Sequence, residues 1–295
     1  MSHVLIPDVV DVQGKPVFFV QSGSRDSLDV VLVLHGFMSD YRSMQMVAEK
    51  LSVPAGTAIL LPDLPGFGSS EPFQTNGASL NHYIDWVELF LTAAAPSAQR
   101  VTIIGYSFGS YIAINYAARQ PALLSNLILI TPVIRVARPV RMFTTIFDNL
   151  SDYSMAAAHA LYKWRPNFDL TSLYLTRSLH PEKVIKLLRH RRQELHDLRP
   201  EVVLELSREL LQIDLLESAP HITIPVFIMA AKYDTVAVKS ATEKFVAALG
   251  ERGTLHYLPK AGHLVPFEGP DQINQILDEK YWPQNIALSP PESVG

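Results

Sequence analysis

Residues Val101-Thr-Ile-Ile-Gly-Tyr-Ser-Phe-Gly-Ser110 join an apolar run, a Gly-x-Ser-x-Gly pentapeptide and the start of a helical pattern, and this order leaves few folds open. The run has strand composition, and Tyr111-Ile-Ala-Ile-Asn-Tyr-Ala-Ala-Arg119 after it reads as a helix. A turn this sharp strains the backbone of Ser107, and Gly105 and Gly109, two residues to either side, relieve the crowding between strand and helix. The Ser107 hydroxyl is then lifted clear of the sheet. The Phe108 amide falls in the first helical turn, where a free N–H and the positive end of the helix dipole stabilise an oxyanion. The same pentapeptide also occurs in ordinary turns, so the rest of the chain must supply the context.

That context is an alternation of strand and helix. Val4 to Val12 and Lys15 to Gln21, separated by Gln13-Gly14, predict an antiparallel hairpin at one edge of a sheet. Val30 to Leu34 is a continuous apolar strand, as expected where both faces are buried, and a helix follows over Tyr41 to Leu51. Next come a strand at Thr57 to Leu61, a helix at Leu80 to Ala94, the strand Val101 to Ile104, the helix Phe108 to Arg119 and a strand at Asn126 to Thr131. The pattern predicts an α/β fold with a mostly parallel twisted sheet covered by helices on both faces.

From Pro132 to His221 the alternation stops and the segments read as helices with no strand evident, for example at Pro139 to Leu150, Ser154 to Trp164, Pro181 to Arg192 and Pro200 to Leu216. It resumes with Ile224 to Ala231, Val238 to Leu249, Gly253 to Leu258 and Asp271 to Tyr281. The expected organisation is an α/β core from residues 1–131 and 222–282, a helical lid at 132–221, and a loosely ordered tail at 283–295. Both ends of the helical block return to one sheet, which favours a lid over an independent domain.

With 295 residues, 48% of them hydrophobic, the chain can bury one large core. Its 25 Lys and Arg against 29 Asp and Glu give a net charge of −4, which offers no global attraction for nucleic acid or an anionic membrane. It contains no cysteine, which excludes disulfides, Cys-ligated zinc, iron–sulfur clusters and a thiol nucleophile. No apolar run approaches the roughly 20 residues that span a bilayer, and the N-terminus lacks the form of a secretory signal, so a soluble, cytoplasmic protein is expected. The sequence leaves the oligomeric state open.

A serine hydroxyl needs a base near neutral pH, and a histidine base needs a carboxylate to set its tautomer. In a parallel sheet such partners belong just after the carboxyl ends of strands. Asp234 follows the strand ending at Ala231, and His263 follows the strand ending at Leu258. The order Ser107, Asp234, His263 resembles that of the α/β-hydrolase fold superfamily. Three further motifs carry the resemblance: Leu34-His35-Gly36-Phe37, Asp63-Leu-Pro65-Gly66-Phe-Gly68-Ser-Ser70, and Gly262-His263-Leu-Val-Pro-Phe-Glu268-Gly-Pro270. The resemblance spans residues 34 to 270 of the core and carries no signature within the lid.

The resemblance implies that the backbone N–H of Phe37 is a second oxyanion donor beside that of Phe108, with the Phe37 side chain lining the pocket. His35, Asp63 and Glu268 are expected to hold loops together by hydrogen bonds. His190 and His196, set among Arg189, Arg191, Arg192, Glu194 and Asp197, read as a solvated helix face, and no spacing suggests a metal site. Arg135, Arg138 and Arg141 form an i, i+3, i+6 series that either faces the pocket mouth, where a substrate carboxylate would fit, or forms a charged face in water. Met142, Phe143, Phe147, Tyr153, Tyr162, Trp164, Phe168 and Tyr174 are expected mostly in a lid core, some of them roofing the site.

The function expected is a cofactor-independent, metal-independent serine hydrolase cleaving a small or medium, largely apolar carboxylic ester through an acyl-enzyme. Serine at the elbow separates the chain from the resembling haloalkane dehalogenase and epoxide hydrolase branches, which use aspartate. C–C bond hydrolases of ring-cleavage products share the triad and lid but often carry a tryptophan soon after the histidine, where this chain reads Leu264-Val265-Pro266-Phe267. Proline iminopeptidases tend to a longer glycine-rich loop than His35-Gly36-Phe37-Met38. A triad-bearing small-molecule receptor or signalling protein with little turnover is the alternative of a different class.

Overall fold

The structure, a computed structural model, describes residues 2–73, 79–142, 145, 149, 154–176 and 181–282; at 155, 158, 159 and 162 it describes the backbone. Its strands are β1 (Ile6–Val12), β2 (Lys15–Ser22), β3 (Asp29–Leu34), β4 (Ala58–Pro62), β5 (Arg100–Tyr106), β6 (Leu124–Ile130), β7 (Val226–Ala231) and β8 (Gly253–Leu258). They form one eight-stranded sheet in the order β1-β2-β4-β3-β5-β6-β7-β8. The β1–β2 and β2–β4 pairs are antiparallel, and every pair from β4 to β8 is parallel. The edge hairpin turns at Gln13 (φ 55°) and Gly14 (φ 78°), the two positive φ angles that a two-residue primed turn requires.

Two apolar layers explain why the central strands read as unbroken hydrophobic runs. Val30, Leu32 and Leu34 of β3 pack on one face with Phe90 of α2 (Leu80–Ala94), Ile112 of α3 (Phe108–Ala118) and Phe245 of the later helix Lys239–Leu249. Val31 and Val33 pack on the other face with Met44 and Val47 of α1 (Arg42–Ala48) and with Ile273 near the C-terminus. Alternate residues thus serve opposite cores, so the run Val30–Leu34 is apolar throughout.

Between β6 and β7 the chain leaves the sheet. The helical residues 138–142 open this stretch, and α4 (Met155–Lys163), α5 (Arg165–Leu175), α6 (Pro181–Asp197) and α7 (Pro200–Leu210) follow. Isolated bridges Arg135–Asp214 and Val136–Ala237 tie the exit and the return together. Helix α5 lies inside the block that reads as helical, but its bounds were not legible, since only Phe168 and Ser172 of it are buried. Helix α7 ends at Leu210 rather than Leu216, where a separate 3₁₀ turn over Leu216–His221 begins.

The closing elements are α8 (Lys239–Leu249), α9 (Val265–Glu268) and α10 (Pro270–Ile276). The helix expected over Asp271 to Tyr281 starts one residue earlier and finishes as a π turn, Leu277–Tyr281. Half of the predicted helix Pro139 to Leu150, including Phe143 and Phe147, lies outside the described residues, as do Tyr153 and the tail 283–295.

The backbones of β3, β5 and α3 meet with no room for a side chain between them. A methyl group built on Gly109 would stand 2.3 Å from the Leu34 carbonyl oxygen, and one on Gly105 would stand 2.6 Å from the Gly109 oxygen. Backbone cannot yield as a side chain can, so Gly109→Ala should lower the unfolding free energy by about 3 kcal/mol or more. Urea unfolding at constant m-value checks this, and an unshifted midpoint would show that the helix is free to move off the strand.

Candidate active site

Ser107 caps α3 with φ 51° and ψ −107°, a left-handed backbone that side chains rarely adopt. Its N–H donates to the Ile130 carbonyl at 3.1 Å, and the Ser110 hydroxyl donates to the Gly105 carbonyl at 2.6 Å, so both arms of the turn are pinned. The Ser107 side chain reaches His263: Oγ and Nε2 are 2.9 Å apart. On the other side of the ring, His263 Nδ1 lies 2.9 Å from Asp234 Oδ2 and 3.1 Å from Oδ1. Asp234 is itself fixed by the N–H groups of Val236 and Ala237, which donate to Oδ1 at 2.7 and 3.0 Å. With Nδ1–H given to the carboxylate, Nε2 keeps its lone pair for the serine proton. Ser107 and His263 are both buried.

Phe37 and Phe108 come together across the elbow. Their rings meet edge to face at 5.9 Å, and each also packs on Phe67, at 6.0 and 6.3 Å. Gly36 permits this approach, since a methyl group there would stand 2.9 Å from the Tyr106 ring. The Tyr106 hydroxyl donates to the His263 carbonyl at 3.1 Å and so ties the elbow strand to the histidine loop.

His35, Asp63 and Glu268 hold loops. His35 Nδ1 lies 2.8 Å from the Gly36 carbonyl while Nε2 accepts the Leu64 N–H at 2.9 Å, and burial lowers its pKa to about 4, so the ring is neutral. Asp63 accepts the N–H groups of Tyr41 and Ser69; burial, reinforced by Asp40, nevertheless raises it to about 7. Glu268 accepts the Thr176 hydroxyl at 2.7 Å and the Gly262 N–H at 3.0 Å, beside His263.

The arginine series is solvent-exposed. Arg135 is exposed and paired with Asp214, and Arg138 and Arg141 are exposed. The described large apolar side chains of residues 132–221 do not all form a core: Phe168 is buried, while Trp164, Tyr174 and Met142 are more than half exposed, at 55%, 52% and 68%. The Tyr162 side chain lies outside the described residues.

The reading of His190 and its neighbours as a solvated face is also overturned. His196 is exposed, but Arg191 and Glu194 are buried against each other, and burial holds the His190 pKa down to about 4. Burial raises Glu194 to about 7 although Arg191 pulls it down. An Arg-x-x-Glu pair has the same sequence signature in water and in a core, so only the packing of α6 could separate the two.

Contacts from the inserted helices were not legible either. The His263 N–H donates to the Leu175 carbonyl at the end of α5 at 3.0 Å, and Val202 of α7 lies against Gly66. Among the described residues no group of three or more His, Cys, Asp or Glu could hold a metal ion, and no helix is long and apolar enough to cross a membrane.

A family model described as serine aminopeptidase, S33 (Hydrolase_4) matches residues 25–270. The chain belongs to this family. Relatives include a strigolactone esterase of Arabidopsis thaliana, 24% identical over 84% of this chain and 90% of its own length. A monoacylglycerol lipase of Bos taurus is 21% identical over 84% of this chain and 73% of its own. An esterase from Exiguobacterium antarcticum superposes with a TM-score of 0.76 at 18% identity, covering 93% of this chain and 98% of that one. The enol-lactonase from Burkholderia xenovorans LB400 gives 0.75 at 18% identity, covering 92% and 98%. As an S33-family chain with this sheet, the protein has the α/β-hydrolase fold and is a hydrolase of the α/β family.

The neutral His35 gives a pH test of the loop framework. Its folded pKa lies below the ordinary 6.5, so its contribution is full above pH 6.5 and is lost as pH falls toward 4, where only the unfolded chain takes up the proton. His35→Asn should cost about 1–3 kcal/mol at pH 7, and its stability gap to the wild type should narrow between pH 6.5 and 4. A gap that stays constant in urea titrations across that range would mean that His35 carries its proton in the folded state.

Proposed function

We propose that this hydrolase cleaves a small or medium, largely apolar carboxylic ester through an acyl-enzyme on Ser107. The observation that carries the reading is the unbroken hydrogen-bonded chain from Asp234 through His263 to Ser107, with the serine at a positive-φ elbow. His263 Nε2 takes the hydroxyl proton as Ser107 Oγ attacks the ester carbonyl, and Asp234 stabilises the imidazolium that forms. The oxyanion is held by the backbone N–H groups of Phe37 and Phe108, the latter at the N-terminus of α3. His263 returns the proton to the departing alkoxide, and water then repeats the sequence on the acyl-enzyme. These steps draw on the chain's own groups and need no cofactor.

In this reading residues 132–221 act as a lid on a core formed by 1–131 and 222–282, and the aromatic ring cluster of Phe37, Phe67 and Phe108 favours an apolar acyl group. Where C–C bond hydrolases often carry a tryptophan, this chain has Val265 and Pro266 buried and Phe267 against the His190 ring at 4.7 Å, a packing role that supports the ester reading.

A fluorophosphonate probe should label Ser107, and Ser107→Ala should lose turnover of short p-nitrophenyl esters while keeping its fold. Label on another serine would sink the mechanism. A burst of one equivalent with no steady state would point instead to a receptor that is acylated once. Asp234→Asn keeps the shape but favours the wrong His263 tautomer, so kcat should fall about 10⁴-fold; a drop below about tenfold would assign the orienting role to another carboxylate. Single Arg→Gln changes at Arg135, Arg138 and Arg141 should alter kcat/KM by less than about twofold for both neutral and carboxylated esters, since exposed charges contribute under ~1 kcal/mol. A selective loss on the carboxylated ester would place one of them at the substrate.

A further inference from the structure

The loop after β3, which carries Phe37, is gripped by a helix of the insertion rather than by the sheet alone. Arg191 of α6 donates from Nη1 to the Met38 carbonyl at 3.1 Å and to Glu194 Oε2, and the Ser39 hydroxyl donates to Glu194 Oε1. Arg191 is 6% exposed and Glu194 3%, and the Arg191 guanidinium sits 4.8 Å above the Phe168 ring of α5. Arg42 flanks this grip, bonded to Asp40 of the loop and to Asp197 Oδ2 of α6 at 2.6 Å.

Two features show what the inner contact does. Met38 holds φ 55°, a left-handed conformation that a non-glycine residue keeps only when its surroundings impose it. A buried ion pair adds little net stability over apolar side chains of equal volume, so stability alone does not account for Arg191 and Glu194. A planar guanidinium stacked on a ring can, however, hold a carbonyl and a carboxylate in one fixed geometry. The carbonyl it holds is one residue beyond Phe37.

We propose that Arg191 and Glu194 are positioning residues for ester hydrolysis, fixing Met38 and Ser39 so that the Phe37 N–H stands where the oxyanion forms. The insertion then completes the oxyanion site as well as covering it. The proposal rests on the reading of Phe37 as an oxyanion donor. A donor of this kind is strongest in the transition state, so its misplacement lowers kcat and leaves KM nearly unchanged.

The test compares Ser39→Ala, Ser39→Thr and Arg191→Met with the wild type and with Arg100→Gln, a change in an exposed pair with Asp29 far from the loop. Each protein is assayed for kcat and KM on p-nitrophenyl butyrate, for inhibition by an alkyl trifluoromethyl ketone whose serine adduct carries an oxyanion, and for thermal unfolding. Ser39→Ala and Arg191→Met should each lower kcat at least about tenfold with KM within about twofold, and weaken the ketone by the same factor. Ser39→Thr, which keeps the hydroxyl, should restore most of the rate, and Arg100→Gln should match the wild type.

Folded variants with wild-type kcat and ketone affinity overturn the proposal, and so does a fall in kcat without a fall in ketone affinity. Should Arg191→Met fail to fold, Ser39→Ala decides, because it removes a single hydroxyl. A wild type that neither turns over ester nor takes the fluorophosphonate label on Ser107 refutes the esterase reading itself, a result distinct from an active wild type with unaffected variants.

Discussion

The approach of α3 to the ends of β3 and β5 is the constraint on which the site depends. At Gly109 and Gly105 the backbones stand so close that a single added carbon would overlap a carbonyl oxygen or carbon of the neighbouring element. Because helix and strands meet without side chains between them, Ser107 is turned into a positive-φ conformation and its hydroxyl leaves the sheet toward His263. The same closeness puts Gly36 against Tyr106 and so brings Phe37 beside Phe108. One steric condition thus sets the proposed nucleophile and the two residues proposed to hold the oxyanion.

Around this junction the loops are fixed by side chains acting as caps. Asp234 turns its own loop through Val236 and Ala237, Asp63 links Tyr41 to Ser69, Glu268 holds Gly262, and His35 ties Gly36 to Leu64. Buried backbone amides without ladder partners have to find such acceptors. Burial also shifts protonation: it keeps His35 neutral and pushes Asp63 and Glu194 up to about 7.

The inserted helices reach the site from two sides. Leu175 accepts the His263 N–H, and Arg191 and Glu194 hold Met38 and Ser39. These contacts join the two loops that flank Ser107 through a part of the chain that belongs to neither face of the sheet.

The parallel sheet, its edge hairpin and the positions of Ser107, Asp234 and His263 at strand ends were legible in the sequence, because each rests on local chemistry: unbroken apolar runs alternating with helical segments, Gln13-Gly14 in a primed turn, and glycines flanking a serine. The bounds of helix α5 were not legible, since it buries only Phe168 and Ser172 and so no sustained apolar stripe marks it. Arg191 and Glu194 were misread as solvated for a related reason. A charged pair one helical turn apart has the same spacing on a surface and in a core, and the neighbours that exclude water from it, Met38, Ser39 and Phe168, come from distant stretches of chain. The sequence by itself determined which residues are proposed to carry the chemistry and the order in which they occur. Only the tertiary structure decided which charges lost their water and which loops they hold, because desolvation is a property of packing between segments that no local pattern encodes.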